Sequence, residues 1–146
     1  MILRPPRPDE RAALLAMMED FNRVEGIAFS PQRTGPALVR LLGDPNLGAV
    51  VVAEREGALS GYAVVTYGFD LEWAGRDAFL TEIYVLPAAR RAGVGAALLQ
   101  EVQRVARANG AAAIHLGVLT DNRPAHALYR RAGFQPMARV FLTKPL

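Results

Sequence analysis

Two stretches of this sequence carry residue types at spacings that suit chemistry. The first is Arg90-Arg91-Ala92-Gly93-Val94-Gly95-Ala96. Glycines at the start of a helix let main-chain N–H groups approach a ligand closely. Those N–H groups and the helix dipole both favour an anion. The guanidinium groups of Arg90 and Arg91 can each grip a phosphate with two hydrogen bonds. A pyrophosphate-bearing cofactor is the natural ligand. A P-loop is excluded, because no Gly-Lys-Ser/Thr follows the glycines. A dinucleotide fingerprint needs a third glycine near Leu98, and leucine is too bulky there. A helix entry merely softened by glycine remains open on this stretch alone. The second stretch is Thr81-Glu82-Ile83-Tyr84-Val85, where a carboxylate sits in an apolar run. Partial burial raises the pKa of such a group toward a value useful to a general base. The alternative is a structural carboxylate bonded to a neighbouring arginine or tyrosine.

These residues need elements to position them. Ile2 to Pro5 reads as a short first strand. Asp9 can cap a helix running to about Arg23, with Ala13, Leu14, Met17, Met18 and Phe21 on one stripe. Ser30-Pro31 reads as a cap followed by a first-turn proline, opening a helix to about Leu42. Gly35-Pro36 is expected to split or delay that helix. Ala49 to Ala53 reads as a buried strand, Glu56-Gly57 as a turn, and Gly61 to Tyr67 as the hairpin partner. Gly75-Arg76-Asp77 marks another turn, and Ala78 to Leu86 the next strand, stopped by Pro87. Gly93 to Asn109 carries a strong helical pattern, ended by Asn109-Gly110. A strand over Ala112 to Leu119, a helix over Asn122 to Ala132 and one or two strands over Phe134 to Thr143 complete the chain. No repeat or linker interrupts it.

Bulk properties narrow the class. A chain of 146 residues fits one domain, 1–146, burying roughly 68–70% of its unfolded surface. With 51% hydrophobic and 21% charged residues, no disordered class fits. The absence of cysteine excludes disulfides, thiolate metal sites and a cysteine nucleophile. The net charge of +3 is too small to argue for nucleic acid, and no interleaved aromatic platform supports it. His115 and His126 lack a third partner for a metal, so no metal site is expected. No signal-peptide core follows Met1-Ile2-Leu3, and no apolar run approaches the ~20 residues of a membrane span. The expectation is a cytoplasmic protein that does not engage a membrane.

A longer pattern then emerges. The strand with Glu82 is followed by Arg90-x-x-Gly93-x-Gly95. Some thirty residues later comes Asn122-x-x-Ala125-x-x-Leu128-Tyr129-x-x-x-Gly133-Phe134. Together these resemble the GNAT acetyltransferase superfamily, over about Phe79 to Phe134. The resemblance implies an α/β (α+β) fold, with a central mixed sheet of six to seven strands flanked by about four helices.

It also implies transfer of an acetyl group from acetyl-coenzyme A to a primary amine by direct attack. It places the pyrophosphate on Arg90, Arg91, Gly93, Val94, Gly95 and Ala96. The pantetheine arm is expected to pair with the backbone of Ile83 and Val85 like an added strand. Glu82 then serves as general base through water, and Tyr129 as general acid toward the departing thiolate. Asn122 caps its helix and, by resemblance, touches the cofactor. Asp20, Glu25, Asp70, Glu72 and Asp77 are candidates to hold a cationic acceptor, a small-molecule or peptide amine, and a loose likeness points to polyamine-type members. Trp73 suits packing at least as well as ligand contact. A homodimer through the apolar Val140-Phe141-Leu142 stretch is compatible with the resemblance. The alternative from another class is a non-catalytic acetyl-coenzyme A-binding sensor or interaction domain.

Overall fold

The computed structural model describes residues 1–146. The elements run β1 (Ile2–Arg4), α1 (Arg11–Glu25), α2 (Pro31–Gly43), β2 (Gly48–Arg55), β3 (Ala58–Asp70), β4 (Gly75–Val85), α3 (Val94–Ala108), β5 (Ile114–Leu116) and α4 (Arg123–Arg131). The strands form one five-stranded sheet in the order β1-β2-β3-β4-β5. Neighbours are antiparallel except β4 and β5, which run parallel.

Alternation along the strands builds two cores. Val51 and Ala53 of β2, Ala63 and Val65 of β3, and Ala78 and Leu80 of β4 face α3. They meet its Val94, Leu98, Leu99, Val102 and Ala106, a stripe at helical spacing. Val50, Val52, Tyr62, Val64 and Tyr84 face the other way, against Leu14, Met17 and Met18 of α1 and Leu38 of α2. The two helical layers thus sandwich the sheet.

Along β4 that alternation changes phase. Ala78 and Leu80 face α3, yet Tyr84, an even number of residues further on, faces α1 and α2. The cause is a register shift. Val65 pairs with Leu80 and Val64 with Glu82, leaving Thr81 as an extra residue. A bulge of this kind bends a strand and re-aims the side chains beyond it. Parallel pairing between β4 and β5 stops at the same place, at Leu80 with Leu116. Beyond it, β4 continues to Val85 with no strand on that side.

Several expectations need correction. The sheet has five strands, not six or seven. The segment after Phe134 forms no strand and makes no main-chain hydrogen bond to the sheet. Its apolar residues have strand propensity, but propensity needs a partner edge, and β5 offers one of only three residues. The tail is held by side chains instead: Phe141 packs edge-on against Phe79 at 5.8 Å, and Arg139 reaches Glu72 at 3.5 Å.

The turn expected at Gly75 to Asp77 lies earlier, at Leu71 to Ala74. There the Asp70 carboxylate accepts the Glu72 N–H at 2.9 Å, and Ala74 takes a left-handed φ of 53°. Pro36 does not split α2. It lies exposed, so the carbonyl it leaves unpaired can meet water.

Deleting Thr81 should remove the bulge and leave Glu82 opposite Val64 on the α1 side, because the pairings on either side then run on without a shift. A crystal structure of the deletion variant checks this, and Glu82 found among the α3-side core residues would contradict the bulge.

Candidate active site

The end of β4 carries the first site residue. Because of the bulge, Glu82 lies on the α1 side, where Tyr62 of β3 donates its hydroxyl to Glu82 Oε2 at 2.6 Å. Tyr62 is fully buried in the core, so its ring fixes that hydroxyl in place. Burial pushes the Glu82 carboxyl above its ordinary value, and the hydrogen bond from Tyr62 only partly opposes this. Tyr62 itself is pushed up by burial and by the adjacent carboxylate, so it stays a donor. The tyrosine partner anticipated for a structural carboxylate is therefore present. It engages one oxygen, and Oε1 accepts no hydrogen bond from the protein.

Ile83 and Val85 follow. The Leu86 N–H donates to the Ser60 carbonyl at 3.0 Å, across β3. Alternation along the ladder turns the main-chain groups of Val85 and Ile83 to the opposite edge. That edge is the one β5 has left. Arg90 folds back to it: its Nε–H donates to the Val85 carbonyl at 3.1 Å, and its guanidinium stands 5.9 Å from the Tyr84 ring centroid. Arg90 thus lies at the β4 edge, whereas the resemblance placed it on the pyrophosphate.

The loop to α3 carries a run of unpaired donors. Every main-chain N–H from Arg91 through Ala96 lacks an acceptor in the protein. No side chain caps α3. Arg91 and Gly93 both take left-handed conformations, with φ of 64° and 77°. Alternating left-handed residues aim successive N–H groups at one point, forming a nest. A Cβ on Gly93 would meet no heavy atom within 4 Å, so glycine is favoured there by its left-handed conformation and not by a protein neighbour. Gly95 sits between Leu128 and Val85, with its Cβ position 3.6 and 3.7 Å from them, which brings α3, α4 and β4 together. Val94 is buried and anchors the first turn, while Arg91, Gly93 and Ala96 are exposed.

On α4, the Asn122 side chain accepts the Ala125 N–H at 3.2 Å and caps the helix. Its amide nitrogen donates to no protein group. Tyr129 is buried with its ring 5.9 Å from Phe134, yet its hydroxyl has no hydrogen-bond partner and is not sealed from solvent. Burial, helped by the Glu25 charge, pushes it up to about 12. Glu25 was one of several acceptor candidates, and the others are occupied. Asp20 pairs with Arg23 at 2.8 Å, Glu72 with Arg139, and Asp77 with His115 at 3.2 Å, while Asp70 caps a turn. His126 contacts the Leu119 carbonyl at 3.0 Å, and Trp73 lies 6.0 Å from His115. Tyr62, the partner of Glu82, was missed in the sequence. Only strand register reveals a contact twenty residues away.

Comparison with known proteins identifies the family. Residues 14–134 match the model of the acetyltransferase (GNAT) family. The chain belongs to that family. An integron cassette protein from the mobile metagenome of Cole Harbour Salt Marsh has the same fold, with a TM-score of 0.86 at 30% identity over 99% of this chain and 90% of that one. An uncharacterized N-acetyltransferase of Mycobacterium bovis is 35% identical over 87 residues, 60% of this chain and 53% of that protein. Thialysine N-epsilon-acetyltransferase of Mus musculus is 35% identical over 85 residues, 56% and 50%. The chain thus spans about half the length of these curated relatives.

Gly93→Asp should keep the fold, losing roughly 1–2 kcal/mol to left-handed strain, while its charge blocks the nest. Thermal unfolding should show that small loss, and calorimetry no coenzyme A binding. Affinity equal to wild type would remove the nest from the site.

Proposed function

We propose that this chain is an acetyl-coenzyme A-dependent N-acetyltransferase acting on an amine. One observation carries the reading: an unbroken run of unpaired amides, Arg91 to Ala96, opens beside the free edge of β4 just past Glu82. The unpaired donors fit a diphosphate, and the free edge at Ile83 and Val85 fits a chain of amides. Acetyl-coenzyme A supplies an acyl group activated as a thioester.

The chain's residues then divide the work. The nest and the exposed Arg91 neutralise phosphate charge. Ile83 and Val85 offer main-chain groups that align the arm, and the Val85 N–H is a donor for a developing oxyanion. Arg90 must release the Val85 carbonyl or share it. Glu82, held by Tyr62, keeps Oε1 free to take a proton from the acceptor amine through a water. Tyr129 stays protonated across the physiological range and can donate its proton to the leaving sulfur. Asn122 keeps a free amide for the cofactor. The thialysine enzyme's name supports an amine acceptor. Coenzyme A at a hundred times its dissociation constant should raise stability by about 2.7 kcal/mol in a thermal shift. Thiol release against amines separates an enzyme from a binding-only domain: binding without release favours the sensor.

Tyr129→Phe should cut turnover by roughly 10²–10⁴-fold and leave coenzyme A affinity unchanged. Wild-type turnover would remove its role as acid. Glu82→Gln should lower the rate most near neutral pH and less as free amine accumulates. For stability the sign is opposite to that of an ion-paired carboxylate. The raised Glu82 pKa means the folded state keeps this proton longer than the unfolded chain. Its contribution is full below the unfolded value and is lost as pH rises through the folded one. Glu82→Gln should therefore be no less stable than wild type at alkaline pH, as read by Tm.

A further inference from the structure

Arg90 is an exposed cation held by neutral groups. No carboxylate pairs with it; its Nε–H donates to the Val85 carbonyl at 3.1 Å. Its guanidinium stands 5.9 Å from the Tyr84 ring centroid, within cation–π range. The remaining guanidinium N–H groups meet no protein acceptor.

The position of that acceptor is specific. Val85 is the last residue of β4, and its carbonyl lies on the edge that β5 leaves unpaired. A ligand that adds to the sheet along Ile83 and Val85 needs this carbonyl for one of its own amides. Arg90 therefore occupies a place on the edge that an incoming amide would take, and the Tyr84 contact helps keep it there. The chain then passes directly from Arg90 into Arg91–Ala96, the run of unpaired main-chain N–H groups. One side chain thus stands between two hydrogen-bonding surfaces, covering the first and adjoining the second. A guanidinium can bind a phosphate through two parallel charge-assisted hydrogen bonds, against one to the carbonyl. A diphosphate at the nest draws Arg90 off Val85, whereas a ligand with amides and no phosphate leaves it in place.

We propose that Arg90 is a specificity-determining latch: it caps the β4 edge until a diphosphate releases it, so that the edge pairs with coenzyme A and rejects phosphate-free pantetheine compounds. This rests on the coenzyme A reading above. Arg90 then acts in two opposite senses, competing with the pantetheine amides for Val85 and assisting the diphosphate.

The test measures binding of coenzyme A and of pantetheine to wild type and to Arg90→Met. Methionine keeps an unbranched stem beside Tyr84 and removes every donor, and the exposure of the position lets the variant keep its fold. Coenzyme A is titrated by calorimetry. Pantetheine is titrated to millimolar concentration and followed by NMR at the amides of Ile83 and Val85. Pantetheine should bind the variant roughly two- to tenfold more tightly than wild type, the span of one hydrogen bond. Coenzyme A should bind it roughly tenfold more weakly. Opposite signs are the signature. A residue that merely supports the loop would weaken both ligands, and one that only grips phosphate would leave pantetheine unmoved. Pantetheine binding to the variant that is absent, weaker or equal to wild type, or coenzyme A binding as tight as wild type, would each overturn the latch. A wild-type protein that binds neither ligand would sink the coenzyme A reading as well. One that binds coenzyme A, with both ligands responding alike to Arg90→Met, would sink the latch alone.

Discussion

The parting of β4 from β5 is the constraint on which the rest of this molecule turns. A sheet gives up main-chain hydrogen bonds only where something else can take them. Here pairing stops at Leu80 with Leu116, while β4 runs on to Val85. Its other edge stays tied to β3 throughout, so the strand does not fray. The result is a stiff edge with free donors and acceptors, facing a gap. The residues that could do chemistry gather around that gap: the amide nest at one end, Tyr129 on one side and Glu82 on the other.

The bulge at Thr81 makes this arrangement possible with an ordinary sequence. Without it, Glu82 would share a face with Ala78 and Leu80 and point into the α3 core. Accommodating Thr81 as a bulge, and not in the regular pleat, keeps Glu82 on the face where Tyr62 holds it. The same bend helps carry β4 away from its parallel neighbour. Two apolar cores, one on each face, hold the strand in place. They supply the rigidity that a strand with one unpaired edge lacks.

Residue types that announce a ligand were legible in the sequence, and pairings between distant strands were not. The glycines and arginines of residues 90–96 point to an anion because few other roles suit that mixture before a helix. The structure puts unpaired amides where those residue types placed them. Arg90 is the exception, since its side chain found a carbonyl at the end of β4. The bulge left no trace, because apolar residues lie on both faces either side of Thr81 and Glu82, and a phase change among apolar residues is silent. Tyr62 looked like any core aromatic. The C-terminal strands were misread for the converse reason: Val140 to Leu142 have the composition of a strand but no edge to join. Among the acidic residues near the acceptor side, composition treats all alike. Only coordinates reveal that Asp20, Asp70, Glu72 and Asp77 are spoken for and Glu25 is not.

Burial acts on both titrating residues at the gap, and its direction is the same for each. It favours the neutral form, so the carboxyl of Glu82 and the phenol of Tyr129 both rise. For a base this is useful only up to a point, since a carboxylate raised too far would stay protonated. The hydrogen bond from Tyr62 sets that limit by stabilising the charged form. For an acid the rise costs driving force, and Glu25 increases it further. Burial thus favours the proton on both residues, and the hydrogen bond from Tyr62 draws Glu82 alone back toward its charged form.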